Sequence, residues 1–320
     1  MSDRLIVGSI LFYISLCGVF TNWTVLLFLP KIASFNRSFG YITWNQSLGD
    51  ALQSTTVFLL VVPMVFFDLE ILKSNSNYIS FTMLLGYDIS VLSHLLLALN
   101  RLCVIAVPTK FQTYNEKWTL KLIIAVNVYA FATIVVFLLS GCKYSWSSEM
   151  WMFLYHVSNH CVSFSFYAIF CKYITIIVII VFIDLFVIYK ARHMYKKSRS
   201  DSTSRQMNSR EIYFLIQTWL QGILFSIELI CYFILSPKFE EKWVRFFMTT
   251  FAFATIHACD GAISIACNKD FRSYLYRCSM RKVQPGMSSI AFGSRTEATT
   301  NVLRSRNDSA LKNRSVYNVE

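Results

Sequence analysis

Charge is scarce in this chain. Asp, Glu, Lys and Arg make up only 15% of 320 residues, against 55% hydrophobic, and the mean hydropathy is +0.47. A water-soluble globule needs a more charged surface, so the soluble classes fall away. Proline is nearly absent, with five residues and none in the apolar runs after position 173 except at their borders. None of the nine cysteines forms a CxxC pair or a zinc spacing, so neither a metal nor a cofactor is implied. The apolar residues come in long blocks rather than short alternating segments, which argues against a β-barrel. The net charge of +12 is accompanied by no nucleic-acid motif, which removes nucleic acid as a partner.

What remains is an all-α membrane protein with the lipid bilayer as its solvent. Seven apolar blocks are each long enough to span: 5–29, 41–67, 79–107, 120–140, 173–189, 212–235 and 243–266. The first is too long for a signal peptide and lacks a clear small-residue cleavage site, so it reads as a retained helix. Residues 141–171 read as a long aromatic loop, and 268–278 as a short amphipathic helix with Phe271, Tyr274 and Leu275 on its apolar side. Residues 1–279 therefore form one helical domain. Residues 280–320 are polar, basic and Ser-rich, the composition of a disordered tail.

The loops set the orientation. Lys31, Arg37, Lys110, Lys117 and the basic stretch 190–210 share one side with the tail. The other side has Arg4, Lys73, Lys143, Lys172, Lys238 and Lys242, diluted by acids. By the positive-inside rule the N-terminus lies outside and the tail in the cytosol.

Polar residues inside the apolar blocks are the functional candidates, because hydrocarbon makes each one costly. They are Asn22, Asp50, His94, Asn100, Arg101, His257 and Asp260, with Pro108 closing the third block and Glu211 opening the sixth. From Asn22 to Asp50 is 28 positions, and from Asp50 to Arg101 is 51. His94 lies two helical turns before Arg101, and His257 and Asp260 share a face. Two histidines within the blocks are too few for a catalytic zinc site, so no enzyme is indicated.

These intervals resemble those of rhodopsin-like receptors. The departures are specific: Asn100 stands where an acid usually precedes the Arg, the sixth block has no Trp-x-Pro, and Gly261 and Ser264 replace a Pro and a Tyr in the seventh. Ser-Phe-Gly40, Leu99-Asn-Arg-Leu-Cys103, Arg210-Glu-Ile-Tyr-Phe-Leu-Ile-Gln217, Trp219-Leu-Gln221 and His257-Ala-Cys-Asp-Gly261 together resemble the class X serpentine receptors, a nematode chemoreceptor family. The resemblance runs from about Gly18 to Arg272. It implies a seven-transmembrane helix bundle in the plasma membrane or a sensory cilium. It also implies an extracellular small-molecule ligand, with a peptide as the alternative, and a heterotrimeric G protein as partner. A small polytopic transporter is the competing class, although no internal repeat supports it.

On that reading, Asn100, Arg101, Pro108 and Glu211 form the switch at the cytosolic end. With no acid at position 100, Glu211 is the expected ion-pair partner of Arg101, unless it only favours a helix N-terminus. Asn22, Asp50, His94, His257 and Asp260 form a polar core. Met83, Tyr87, Asp88 and Glu228 are candidates for the ligand pocket, with Asp88 either meeting a cationic ligand or bonding to a neighbouring helix. Asp184 lies near the basic cytosolic end and is expected to pair there. The third block has no Cys at its outer end, so the usual receptor disulfide is absent. Cys142–Cys161 is the expected bond, Cys142–Cys171 the runner-up, and free thiols the third option. Cys278 is a palmitoylation candidate, and Ser288, Thr296 and Ser309 are among the tail sites through which phosphorylation and an arrestin-type regulator would act.

Overall fold

The computed structural model describes residues 2–32, 35, 37–106, 108–155, 158–198 and 209–283. Within these, the side chains of 2, 106, 108–116, 191, 194–198, 209–215 and 279–283 are not described. The expected tail from 284 onward lies outside the described residues, as do its phosphorylation sites.

Seven helices are long and apolar enough to cross a membrane. They are α1 (Ser2–Phe28), α2 (Ser38–Phe66), α3 (Ser76–Ala106), α4 (Pro108–Ser140), α5 (159–198), α6 (209–235) and α7 (Lys242–Cys267). A further helix, α8, covers Lys269–Val283. It extends five residues beyond the end expected from the sequence. Pro108 opens α4, where a missing N–H is harmless.

The helices meet closely where side chains are smallest. A Cβ on Gly49 of α2 would lie 2.6 Å from the Gly86 carbonyl oxygen of α3, and one on Gly86 would lie 2.8 Å from that of Gly49. Two glycines face to face let these backbones approach, as small residues do in membrane bundles. Two large clusters make up most of the buried apolar core. Phe137, Tyr173, Phe225 and Leu229 pack against α3, while Val7, Leu11, Val61, Met64 and Phe246 join α1, α2 and α7.

Four of the spans contain a π turn among the described residues: Val57–Val61 in α2, Phe166–Cys171 in α5, Ile230–Leu235 in α6 and Phe247–Phe251 in α7. All four lie in the outer halves. A π turn re-aims side chains without proline and is frequent at functional sites.

The segment read as a loop is largely ordered secondary structure. Strands β1 (Tyr144–Ser147) and β2 (Met152–Tyr155) pair antiparallel, with Tyr144 opposite Tyr155. α5 then begins at Asn159, fourteen residues earlier than the sequence suggests, and brings Lys172 and His160 onto a helix. The apolar run alone starts the span late, because Lys172 and the preceding Ser and His residues dilute it. Cys142 and Cys161 form a disulfide that ties the hairpin to the start of α5, and Cys171 is free. The hairpin is also fastened to the bundle. Ser80 Oγ donates to the Tyr144 carbonyl at 2.5 Å, the Trp146 N–H donates to Ser76 Oγ at 3.0 Å, and Thr250 Oγ1 donates to the Trp151 carbonyl at 2.8 Å.

At the same end, Asp68 takes a left-handed conformation with φ of 61° and accepts ion pairs from Lys73 and Arg4. Hydrogen bonding from Lys73, then from Arg4, holds its carboxyl below the usual range.

Candidate functional site

Three polar or aromatic layers lie along the bundle axis. The outermost is a cavity with about 590 Å³ of empty space, counting its mouth. α3 supplies Met83, Leu84 and Tyr87, and the π turns of α5, α6 and α7 supply Ile169, Tyr232, Phe233, Thr249 and Thr250. The hairpin covers it with Tyr144, Phe153 and Tyr155. Tyr173 of α5, Glu228 of α6 and Phe253 of α7 complete the wall. Burial pushes the phenols of Tyr144 and Tyr155 well above their ordinary range, so both stay neutral.

Met83, Tyr87 and Glu228 of the expected pocket therefore line this cavity, and Asp88 does not. Asp88 accepts an ion pair from Lys172 at 2.6 Å and a hydrogen bond from Tyr173 at 2.8 Å. It staples α3 to α5. Lys172, assigned to an outer loop by the sequence reading, is a half-buried helical residue. Its charge is explained by Asp88, and only the earlier start of α5 brings the two together.

The middle layer joins α1, α2, α3 and α7. His257 Nδ1 lies 2.8 Å from Asp50 Oδ1, to which Ser90 Oγ also donates at 2.8 Å. His94 Nε2 lies 3.2 Å from Asp260 Oδ2, and Gln46 Nε2 donates to the same oxygen at 3.3 Å. Asn22 donates to the His257 carbonyl at 2.8 Å. The five core candidates thus fall into two adjacent hydrogen-bonded groups, Asn22, His257 and Asp50 with Ser90, and His94 and Asp260 with Gln46; the sequence reading missed Ser90 and Gln46. Ser, Thr, Asn and Gln recur along α2 and α3, so nothing in their type singled these two out.

Gly261 has a packing role here. A Cβ on it would lie 2.5 Å from Asn22 Oδ1 and 2.8 Å from Thr21 Oγ1. A glycine lets α7 approach α1 where other receptors carry a proline.

The outer and middle layers touch. Tyr87 donates to Glu228 at 2.8 Å with its hydroxyl, while its ring stacks on Phe253 and meets His257 edge-on at 5.6 Å. Phe225 contacts both His94, at 4.7 Å, and His257, at 5.7 Å. The cavity wall thus touches His257 directly, through Tyr87, and His94 through Phe225, which lies 5.8 Å from Tyr87.

The innermost layer is Arg101, 7% exposed, whose guanidinium pairs with Asp184 of α5, 8% exposed. The sequence points to Glu211 as that partner. Among the described residues Asp184 is its partner, and the Glu211 side chain lies outside the described ones. Asn100 is half-buried beside the pair and takes no part in it. Asp184 was legible as a residue seeking a cation, but which cation depends on the rotation of α5 against α3. Cys278 is a free, half-buried thiol on α8. No cluster of His, Cys, Asp or Glu among the described residues has metal-binding geometry.

A roofed cavity at one end of seven helices, a polar core beneath it and a buried arginine at the far end make up the architecture of a seven-helix membrane receptor. The fold agrees. The crystal structure of squid rhodopsin superposes with a TM-score of 0.70, covering 88% of this chain and 87% of that one at 14% identity.

The particular family follows from the sequence. The family described as "Serpentine type 7TM GPCR chemoreceptor Srx" matches residues 12–268, and this chain belongs to it. Serpentine receptor class X 45 of Caenorhabditis elegans is 29% identical over 300 residues, spanning 85% of this chain and 81% of its own length. Serpentine receptor class X-43 of the same organism is 26% identical over 291 residues, spanning 86% and 88%. The chain is therefore an integral multi-pass membrane protein of a receptor family, not of an enzyme family.

Proposed function

We propose that this protein is a cell-surface chemoreceptor, sited in the plasma membrane of a sensory cell or its cilium. Its aromatic cavity binds an extracellular small molecule, and its cytosolic end activates a heterotrimeric G protein. The observation that carries the proposal is the unbroken contact from cavity to core. Glu228 holds the Tyr87 hydroxyl, and the Tyr87 ring rests on His257, which holds Asp50. Occupancy of the cavity shifts Tyr87, and that shift alters the α2–α3–α7 network.

The switch is the Arg101–Asp184 pair. A ligand changes an equilibrium only through contacts that differ between states. At rest the pair closes α3 against α5. Its release frees the guanidinium for the G protein, with Pro108 marking the following turn and Glu211 of α6 within the same cytosolic surface. The covering hairpin favours a small molecule over a peptide, because it leaves less room for an extended chain to enter. Palmitoylation at Cys278 and an arrestin-type regulator on the tail belong to the same proposal.

The test is ligand-evoked G-protein activation in cells expressing the full chain, with Arg101→Ala as control. Activation that the control abolishes is the expected result. Accumulation of a solute without G-protein activation would move the protein to the transporter class.

A further inference from the structure

The interior of the described spans holds five carboxylates, and four of them have a basic side chain at ion-pair distance. Asp50 has His257, Asp88 has Lys172, Asp184 has Arg101 and Asp260 has His94. Glu228 is the exception. It is 3% exposed, it accepts a hydrogen bond from the Tyr87 hydroxyl, and among the described residues no Lys, Arg or His lines the cavity it faces. A buried carboxylate without a counter-charge is costly, and a bound cation removes that cost.

The rest of the wall fits a cation of one kind. The hydroxyls of the lining tyrosines are largely engaged with protein. Tyr87 donates to Glu228, Tyr144 and Tyr232 share a hydrogen bond of 3.0 Å, and Tyr232 reaches the Phe153 carbonyl at 3.3 Å. The cavity is therefore offered ring surface more than hydrogen-bond donors. Tyr144 and Tyr155 stack at 4.2 Å in its cover, and Phe253 stacks on Tyr87 beneath. Ring faces around one carboxylate attract a desolvated organic cation and offer nothing to an anion.

We propose that the cavity selects small organic ammonium ions, with Glu228 as counter-ion and the tyrosine and phenylalanine rings as the cation-binding walls. This rests on the reading of the cavity as the ligand site and adds the chemical class of the ligand.

The experiment uses the purified full-length chain in lipid nanodiscs and reads ligand-induced thermal stabilisation, which needs no G protein. The probes are a charge series of one shape, 3-phenylpropylamine, 3-phenylpropanol and 3-phenylpropanoate, with straight-chain amines and alcohols from butyl to decyl. Ammonium members are expected to bind about 10- to 100-fold more tightly than their neutral partners, and the carboxylate not at all. Glu228→Gln is expected to erase the difference between amine and alcohol while the alcohol binds as before. If that variant does not fold, the comparison within the wild-type chain still decides.

Equal binding of amines and alcohols overturns the proposal, as does binding of the carboxylate or of no ammonium at millimolar concentration. Ammonium binding without any G-protein response would leave this inference standing and remove the signalling one. A G-protein response confined to neutral compounds would do the reverse.

Discussion

Replacing Asp184 with asparagine tests the switch directly. The substitution keeps the volume and removes the charge that faces Arg101. Both residues are almost fully buried, and two guanidinium nitrogens of Arg101, Nε and Nη1, have no partner among the described residues. The cationic side chain then has no counter-charge in its resting position. Removing one partner of a buried pair costs about 3–5 kcal/mol. The low end of that range is used here. Only the part of that cost absent from the active state shifts the equilibrium. Taking about 1–3 kcal/mol as that part, as is typical of coupling between states, ligand-free signalling rises about 5- to 150-fold until it saturates.

The assay is basal G-protein activation at matched surface expression, in wild type, Asp184→Asn, Arg101→Ala and the double variant. Asp184→Asn should be constitutively active, and both variants lacking Arg101 silent. Normal surface expression of Asp184→Asn with wild-type basal activity would refute the reasoning, since the pair would then not distinguish the two states.

Four further outcomes follow from the same geometry. Lys172→Met should lower thermal stability by about 3 kcal/mol, and adding Asp88→Asn should recover much of it, because the double variant leaves no lone buried charge; a double variant no better than the single one would mean the pair is not coupled. Cys142→Ser with Cys161→Ser opens a loop with a sequence separation of 19 residues and should cost about 3 kcal/mol, read as a lower unfolding temperature and faster proteolysis between Gly141 and Ser158. Gly261→Ala forces a methyl against Asn22 and should cost about 1–3 kcal/mol, while Gly222→Ala, with open space around it, should be neutral in the same melt. Asp68 is held below its ordinary range by Lys73 and Arg4, so its contribution is present above about pH 4 and is lost as pH falls through the depressed value; the acid limb of stability should flatten in Asp68→Asn, and an unchanged limb would exclude this cluster.

The seven spans were legible because a span is a local property. About 20 apolar residues in a row need no knowledge of the partner that covers them. The borders were less so. α5 starts at Asn159 rather than near 173, since a half-buried lysine looks like a loop residue until its carboxylate is known. The four π turns were not visible at all, as no residue type encodes them and packing selects them.

The identity of the polar candidates also came from the chain alone. Asn22, Asp50, His94, Arg101, His257 and Asp260 stand out because hydrocarbon tolerates few such groups. Which of them meet did not. A helix can rotate by 100° per residue without changing its hydropathy, and that rotation decides whether Arg101 finds Asp184 or Glu211. Composition and the positions of polar residues thus determined the class, the membrane spans and the list of residues that matter. Tertiary structure alone decided the pairing of charges, the carboxylate left unpaired at Glu228 and the aromatic wall around it, because those depend on distances between helices that lie far apart in the chain.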